Sequence, residues 1–458
     1  MDMSDKLHEE CGVFGIFAGS GSNVASDIYY GLIALQHRGQ ESAGMSVCDT
    51  DGPMGNIITH KGMGLVSEVF DRKFLEQTKG NIGVGHVRYS TTGGSILANA
   101  QPIAMNYIKG SLAVVHNGNI VNTEEIKQEQ MYRGQAHYTT SDTEVLAYEI
   151  VSERVYSSSV EVAVQRAAGR LRGGYAVIVM SPKKLIGIRD PYGIKPLVLG
   201  KRGDTYMLAS ESCAIVSVGG ELIRDIKPGE VITISDEGIK SNEELCGKKP
   251  AHCVFEYIYF ARTDSVIDKI NVHEARLKAG MALARRNPVK ADIVAGVPDS
   301  GLAAAEGYSK ESGIPFVLAF QKNSYIGRSF IKPTDEERNT AVHMKLSVLK
   351  DVVKDKSLVL IDDSIVRGTT MRQIIEMLKS CGAKEVHVRI SSPPFLYPCY
   401  YGTDVPSSKQ LIASGHSGEE IKKAVGADSL SYLDTDDFME MLDGLPVCKA
   451  CFDNNYPV

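Results

Sequence analysis

Along the first half of the chain, apolar positions come in short runs broken by glycine: "CGVFGIFAG", "NIGVGHVRYS", "LAVVHNGNI", "YAVIVMSP", "LIGIRDPYGI" and "YMLASES". Short apolar runs bounded by turn residues predict strands. Between them, "SDIYYGLIALQHRG" and "SDTEVLAYEIVSERV" predict helices. The second opens on a capping box, with Glu144 three residues after Ser141. The pattern predicts layered sheets with covering helices. Past "GKKPAHC" (247–253) the rhythm changes. Strand-like "ADIVAGVPDSG" is followed by helical "AAAEGYSKESG" and strand-like "IPFVLAF", and later "SLVLIDDSIVRGTT" leads through a helix to "EVHVRIS". Alternating strands and helices predict a parallel sheet with crossover helices. The boundary between the two textures lies near residue 250.

The most informative stretch is "LVLIDDSIVRGTTMRQIIEMLKSCGA". Val359, Leu360 and Ile361 end a buried strand, and Asp362 and Asp363 follow at its carboxyl end, where ligands bind in open α/β sheets. Arg367, Gly368, Thr369 and Thr370 then lead into a helix whose Met371, Ile374, Ile375 and Leu378 share one face, with Gly382 as its stop. A glycine-containing turn at a helix N-terminus offers N–H groups and a favourable dipole to a phosphate. The adjacent carboxylates suit a sugar diol or a magnesium ion.

Composition narrows the classes. With 458 residues, a net charge of −6 and 43% hydrophobic content, the chain is ordinary for a globular protein and is no general nucleic-acid binder. No run of about 18 apolar residues predicts a membrane span. The first ten residues, "MDMSDKLHEE", lack the basic start and apolar core of an export signal. Nine cysteines without such a signal point to cytoplasm and to reactive or metal-bound thiols.

The segment 358–383 resembles the phosphoribosyl-pyrophosphate loop of type I phosphoribosyltransferases. That resemblance implies that Asp362 and Asp363 hold the ribose hydroxyls and magnesium-bound substrate, and that Ser364 to Thr370 (Ser364, Arg367, Gly368, Thr369 and Thr370 among them) cradle the 5-phosphate. "VPDSG" then supplies a second loop near the pyrophosphate with Asp299 and Ser300, Ser300 joining the two aspartates around magnesium. The basic segment "QKNSYIGRSFIKP" (321–333), with Lys322, Gly327, Arg328 and Lys332, is expected to close over the pyrophosphate and expel water.

In the first half, "CGVFGI", "LQHRGQESAG", "GHVRYSTTG", "HNGNI", "SDTE" and "RDPYGIKPL" resemble, in order, the glutaminase domain of N-terminal-nucleophile amidotransferases. A thiolate attacks the glutamine side-chain amide to form a thioester and needs a base. Removal of residues 1–10 as a propeptide gives Cys11 a free α-amino group, whose pKa of about 7.7–8.0 suits proton transfer. By resemblance, Arg88 pairs with the glutamine α-carboxylate, Asp142 receives the α-ammonium, and Asn117 with the Gly118 N–H forms the oxyanion hole.

Together the halves resemble the glutamine phosphoribosylpyrophosphate amidotransferase family. The resemblance implies an α+β N-terminal-nucleophile (αββα) glutaminase domain (11–245) after a propeptide (1–10), then an α/β type I phosphoribosyltransferase domain with a C-terminal tail (246–458). It implies synthesis of 5-phosphoribosylamine, glutamate and pyrophosphate from glutamine, water and phosphoribosyl pyrophosphate, opening de novo purine synthesis, with ammonia passing between two sites. It also implies inhibition by purine nucleotides and a homotetramer. Glucosamine-phosphate synthase shares the glutaminase half, but "LIDDSIVRGTT" does not belong to its sugar isomerase. A non-catalytic sensor of phosphoribosyl pyrophosphate sits poorly with the complete set Cys11, Arg88, Asn117 and Asp142.

The tail holds "LPVCKACFDN", a C-x-x-C at Cys448 and Cys451 that by itself fits a metal centre, a redox pair or structural zinc. Resemblance to the iron–sulfur branch implies Cys253 and Cys399 as further ligands of a structural [4Fe–4S] cluster. Cys246, seven residues from Cys253, is a rival that spacing does not exclude.

Overall fold

A computed structural model describes residues 11–52, 56–89, 94–323, 346–403, 405 and 407–458. Among these, the glycine-broken runs of the first half form two antiparallel sheets. One has seven strands, in the order Glu221–Asp225, Val198–Arg202, Thr205–Ala209, Gly12–Phe17, Ile82–Arg88, Ser42–Cys48 and Ile58–Met63. The other has six, in the order Gly238–Asn242, Val231–Ser235, Lys184–Arg189, Gly173–Ser181, Gly110–Ile120 and Ile103–Tyr107.

The strand Gly12–Phe17 shows why such runs are apolar throughout. Val13 and Phe17 enter a core shared with Val84, Val115 and Ile178 of both sheets. Phe14 and Ile16 point the other way, into a core with Ile28 and Leu32 of helix Ala25–Ala34. Both faces of the strand are covered, so neither tolerates polar residues. Helices Asp142–Tyr156 and Val160–Ala168 cover the outer face of the six-stranded sheet through Leu146, Ile150 and Val164. The four layers run helix, sheet, sheet, helix.

The second half has a parallel four-stranded sheet in the order Ile293–Gly296, Ser357–Asp362, Glu385–Ile390 and Ser429–Tyr432. Val359 and Ile361 face helices Val272–Arg286 and Gly301–Ser312, whereas Leu358 and Leu360 face helices Thr369–Ser380 and Gly418–Val425. Gly382 closes the helix Thr369–Ser380 as the spacing predicts, with φ +93°.

Two segments depart from the expectation. The helix over "SDIYYGLIALQHRG" stops at Ala34, and the next residues turn so that Arg38 runs inward and is 1% exposed. "IPFVLAF" is not a full strand of the parallel sheet. It makes one bridge, Val294 to Phe316, and then Phe320–Lys322 pairs with Leu346–Val348 as a separate hairpin. The residues Glu256–Phe260 form a buried π-helical turn, a form common at functional sites. The last strand of the six-stranded sheet ends at Asn242, and Val254 already lies in the core beneath the parallel sheet. No described helix is long and apolar enough to cross a membrane.

Candidate active sites

Cys11 stands at the start of the central strand of the seven-stranded sheet and is 8% exposed. Its Sγ lies 3.5 Å from the Tyr89 carbonyl oxygen. Burial pushes the thiol up to about 11, while the Tyr89 hydrogen bond and the Arg88 guanidinium pull against it. Asp142 and Glu41 add to the rise. Thus Arg88 and Asp142, 54 positions apart in the chain, both act on Cys11. Arg88 itself donates to Glu41 at 2.7 Å, a partner the sequence reading missed. Asp142 opens the helix capped by Ser141 and accepts the Ile120 N–H at 3.2 Å. Burial pushes its carboxyl up, but the His116 ring, 3.4 Å away, and nearby N–H groups outweigh this and hold it below its usual range.

Asn117 is wholly buried on the strand Gly110–Ile120, and neither its Oδ1 nor its Nδ2 has a partner among the described residues. A buried amide with both ends idle carries a desolvation penalty that needs a reason. Gly118 follows with φ +131°, and a Cβ there would meet the Gly174 carbonyl oxygen at 2.1 Å. Only glycine fits this backbone, which turns the peptide away from ordinary strand geometry.

Further neighbours of Cys11 come from outside the predicted set. Arg38 donates through Nε to the Cys11 carbonyl at 3.1 Å. Glu211 and Glu256 accept from the same guanidinium. The one sequence signal was an Arg-Gly pair inside "LQHRGQESAG", directly after an apolar helix.

The second site sits at the carboxyl end of the strand Ser357–Asp362. Asp362 and Asp363 are each 2% exposed. The Asp363 carboxylate accepts from Ser300 Oγ at 2.5 Å and Ser364 Oγ at 2.6 Å, so "VPDSG" and "LIDDS" meet. Gly368 takes φ +85° and caps the helix Thr369–Ser380, leaving its first N–H groups facing the loop. Arg367 reaches sideways to Gln410 Oε1 at 2.9 Å. Lys322 pairs with Asp299 across the site mouth. Arg328, Gly327 and Lys332 lie outside the described residues, as do residues 1–10 and Ser90–Gly93.

Near the junction of the halves, Cys253, Cys399, Cys448 and Cys451 line one cavity, together with Lys195, Phe395 and Tyr456. The pairing of His252–Cys253 with Val447–Cys448 sets Cys253 directly opposite Cys448. Burial pushes the Cys448 thiol up to about 12, and Cys399 adds to the rise. Cys451 is pushed well up, first by burial and then by Cys399, Cys253 and Cys448. Cys246 stands apart from this set, among Glu243, Glu230 and Lys227. No three His, Cys, Asp or Glu among the described residues are grouped around a single-ion site.

The chain matches two family descriptions, "Glutamine amidotransferase domain" over residues 86–217 and "Phosphoribosyl transferase domain" over residues 267–391. The amidophosphoribosyltransferase of Bacillus subtilis is 46% identical, with 98% of this chain and 94% of that protein covered. That of Methanocaldococcus jannaschii is 43% identical, covering 98% and 97%. The solved glutamine phosphoribosylpyrophosphate amidotransferase from B. subtilis, complexed with ADP and GMP, superposes with a TM-score of 0.90 at 44% identity, over 98% of this chain and 97% of that one. With both halves matched in one continuous alignment, the chain belongs to the amidophosphoribosyltransferase family, the glutamine-dependent pentosyltransferases that open purine biosynthesis.

Proposed function

We propose that Cys11 is the glutamine nucleophile of this enzyme, that Asn117 and the Gly118 N–H stabilise the oxyanion, and that the 362–370 turn binds phosphoribosyl pyrophosphate. Two observations carry the glutamine side: the buried Asn117 amide has no partner among the described residues, and the Cys11 thiol is acted on by both Arg88 and Asp142. A thiol with a pKa near 11 is a poor nucleophile at neutral pH. Release of residues 1–10 supplies the missing base, because the Cys11 α-amine then takes the thiol proton. The thiolate attacks the glutamine Cδ, the oxyanion forms against Asn117, and the amine returns the proton to the departing ammonia. Water then opens the thioester to glutamate. Arg88 binds the α-carboxylate of glutamine and Asp142 its α-ammonium. Ammonia crosses to the second site within the protein and displaces pyrophosphate at ribose C1.

Asp362, Asp363 and Ser300 form a hard oxygen set that fits Mg2+. Held by these residues, a magnesium ion would supply charge neutralisation to the pyrophosphate leaving group. Ser364, Arg367, Gly368, Thr369 and Thr370 hold the 5-phosphate, and the segment 321–333, with Lys322 and Arg328, covers the pyrophosphate.

The four cysteines lining that cavity would suit a [4Fe–4S] cluster, in which each iron takes one thiolate. Bound there, it ties the tail to the 253 segment as a structural group. We extend the reading to a domain division at 245/246, a cytoplasmic homotetramer and feedback by purine nucleotides, the last supported by the ADP and GMP complex of the B. subtilis enzyme. One preparation tests the whole reading. Intact mass starting at Cys11, about four irons per chain, and glutaminase activity that rises with phosphoribosyl pyrophosphate are expected. A fully active chain that retains Met1, or a colourless active one with one zinc, overturns the corresponding part.

A further inference from the structure

The buried guanidinium of Arg38 joins groups from both halves of the chain. Its Nε holds the Cys11 carbonyl at 3.1 Å. Its Nη1 donates to Glu211 at 2.7 Å and to Glu256 at 2.9 Å, and its Nη2 to the other Glu256 oxygen at 2.6 Å. The Arg38 and Glu211 side chains are inaccessible to solvent, and that of Glu256 is 2% exposed. Glu211 also accepts from His37 at 2.7 Å, the Arg262 N–H at 2.9 Å and Ser265 Oγ at 2.6 Å. Burial pushes the Glu211 carboxyl up, but His37, Arg38 and Ser265 outweigh it and hold it well below its usual range, so it is ionised.

Glu256 begins the π-helical turn Glu256–Phe260, and Arg276 fixes that turn from beneath. Arg276 donates to the carbonyls of Tyr257 at 2.9 Å, Tyr259 at 2.9 Å and Ala261 at 2.8 Å. The carboxylate acting most strongly on Arg276 is Asp363 of the phosphoribosyl site, followed by Glu211 and then Glu256. Hydrogen bonds therefore run from Arg276 to the π-helical turn and from Glu256 through Arg38 to the Cys11 carbonyl, and the turn packs in one core with Ile361 and Val366, which lie on either side of Asp362 and Asp363 in the chain.

We propose that Arg38 is a positioning residue for Cys11 and that Glu256, reaching it from the second domain, couples that positioning to the state of the phosphoribosyl site by a route separate from the 321–333 segment. The proposal rests on Cys11 being the nucleophile. The links made by Arg38 and Arg276 are charge-assisted or multiple hydrogen bonds in a buried setting, where geometry is held tightly and a change at one end is not relaxed by solvent. Magnesium-bound phosphoribosyl pyrophosphate at Asp363 alters the field on Arg276. The peptide carbonyls that Arg276 holds form the turn that carries Glu256. A shift of Glu256 moves the Arg38 fork and with it the main chain of the nucleophile.

The test uses the full mature enzyme carrying Glu256→Gln, which keeps shape and removes the charge. The readout is the glutamine-hydrolysis rate with phosphoribosyl pyrophosphate divided by the rate without it, beside ammonia-dependent synthesis and the melting temperature. The expected result is a stimulation ratio lowered about tenfold, the size of one charge-assisted hydrogen bond, with ammonia-dependent synthesis within about twofold of wild type. Arg38→Lys keeps a charge but loses the fork, and is expected to lower kcat for glutamine more than KM. An unchanged ratio in Glu256→Gln overturns the coupling. A parallel fall of both activities with the melting temperature, in both variants, assigns the cluster to structure alone and overturns it too. Retained glutamine use in Cys11→Ala refutes the nucleophile assignment instead.

Discussion

The two proposed catalytic sites are assembled in opposite ways. The phosphoribosyl site is mostly one continuous segment, Asp362 to Thr370, at the end of one strand and the start of one helix. Local geometry nearly completes it, and Ser300 is the main visitor from elsewhere. The glutamine site takes Cys11, Arg38, Arg88, Asn117 and Asp142 from different parts of the chain and buries all of them. Register does the work there. Ser42 lies opposite Arg88, Gly12 lies opposite Val87, and Gly118 lies opposite Tyr175. A site made by one turn tolerates distant change, whereas a site made by register depends on the whole sandwich.

The largest effect that separates the two sites is loss of the nucleophile. Cys11→Ala is expected to lower glutamine-dependent synthesis by at least about 10⁴-fold while synthesis from added ammonia continues. Asp362→Asn with Asp363→Asn stops both. Retained ammonia turnover in that double variant breaks the assignment of the second site.

Next in size is Asn117→Ala. It removes a donor without touching Cys11, and kcat for glutamine is expected to fall about 10²–10³-fold with KM little altered. A rise in KM alone assigns Asn117 to substrate binding instead.

Gly368→Ala probes the local site. The residue sits at φ +85°, and a Cβ would stand 3.0 Å from Ile412 Cδ1. Strain of about 1–2 kcal/mol predicts a KM for phosphoribosyl pyrophosphate raised roughly 5–30-fold. A KM unchanged in steady-state kinetics shows that the phosphate cradle does not need this turn.

The smallest effect concerns pH and the register-built half. Burial pushes His86, wholly inside the sandwich, down to about 3, against its hydrogen bond to the His116 carbonyl. An unfolded chain binds that proton near pH 6.5, so between there and about pH 3 the unfolded state holds one proton more than the folded state. Stability is fully present above pH 6.5 and falls as pH drops, by about 1.4 kcal/mol per unit. Urea titrations at pH 5.5 and 4.5 measure this. His86→Gln is expected to flatten the slope by that amount, and an equal slope in both proteins removes His86 as its source.

Much of the fold was legible. Glycine-broken apolar runs marked the strands because both faces of each sheet are covered. The βαβ rhythm marked the parallel sheet because every strand there is buried between helices. "LIDDSIVRGTT" was legible because strand end, turn and helix start are consecutive in the chain. The failures share a cause. Nothing local ends the helix at Ala34. Past that end, Arg38 finds buried partners 173 and 218 residues away. "IPFVLAF" is apolar enough for a strand but makes only one bridge, Phe316 to Val294, before its last residue, Phe320, joins the hairpin with Leu346–Val348.

The sequence by itself determined the element types, the glycine positions that permit φ +131° at Gly118 and φ +85° at Gly368, and the chemistry available at each motif. These depend on residues next to one another, where sterics and hydrogen bonding act within a few bonds. Only the tertiary structure decided that Glu41 holds Arg88, that Cys253 and not Cys246 shares a cavity with Cys399, Cys448 and Cys451, and that Glu211 and Glu256 meet on Arg38. Those pairings follow from which surfaces exclude water when sheets and helices pack. A buried charge takes whatever partner the packing brings within reach, and neighbours along the chain carry no trace of it.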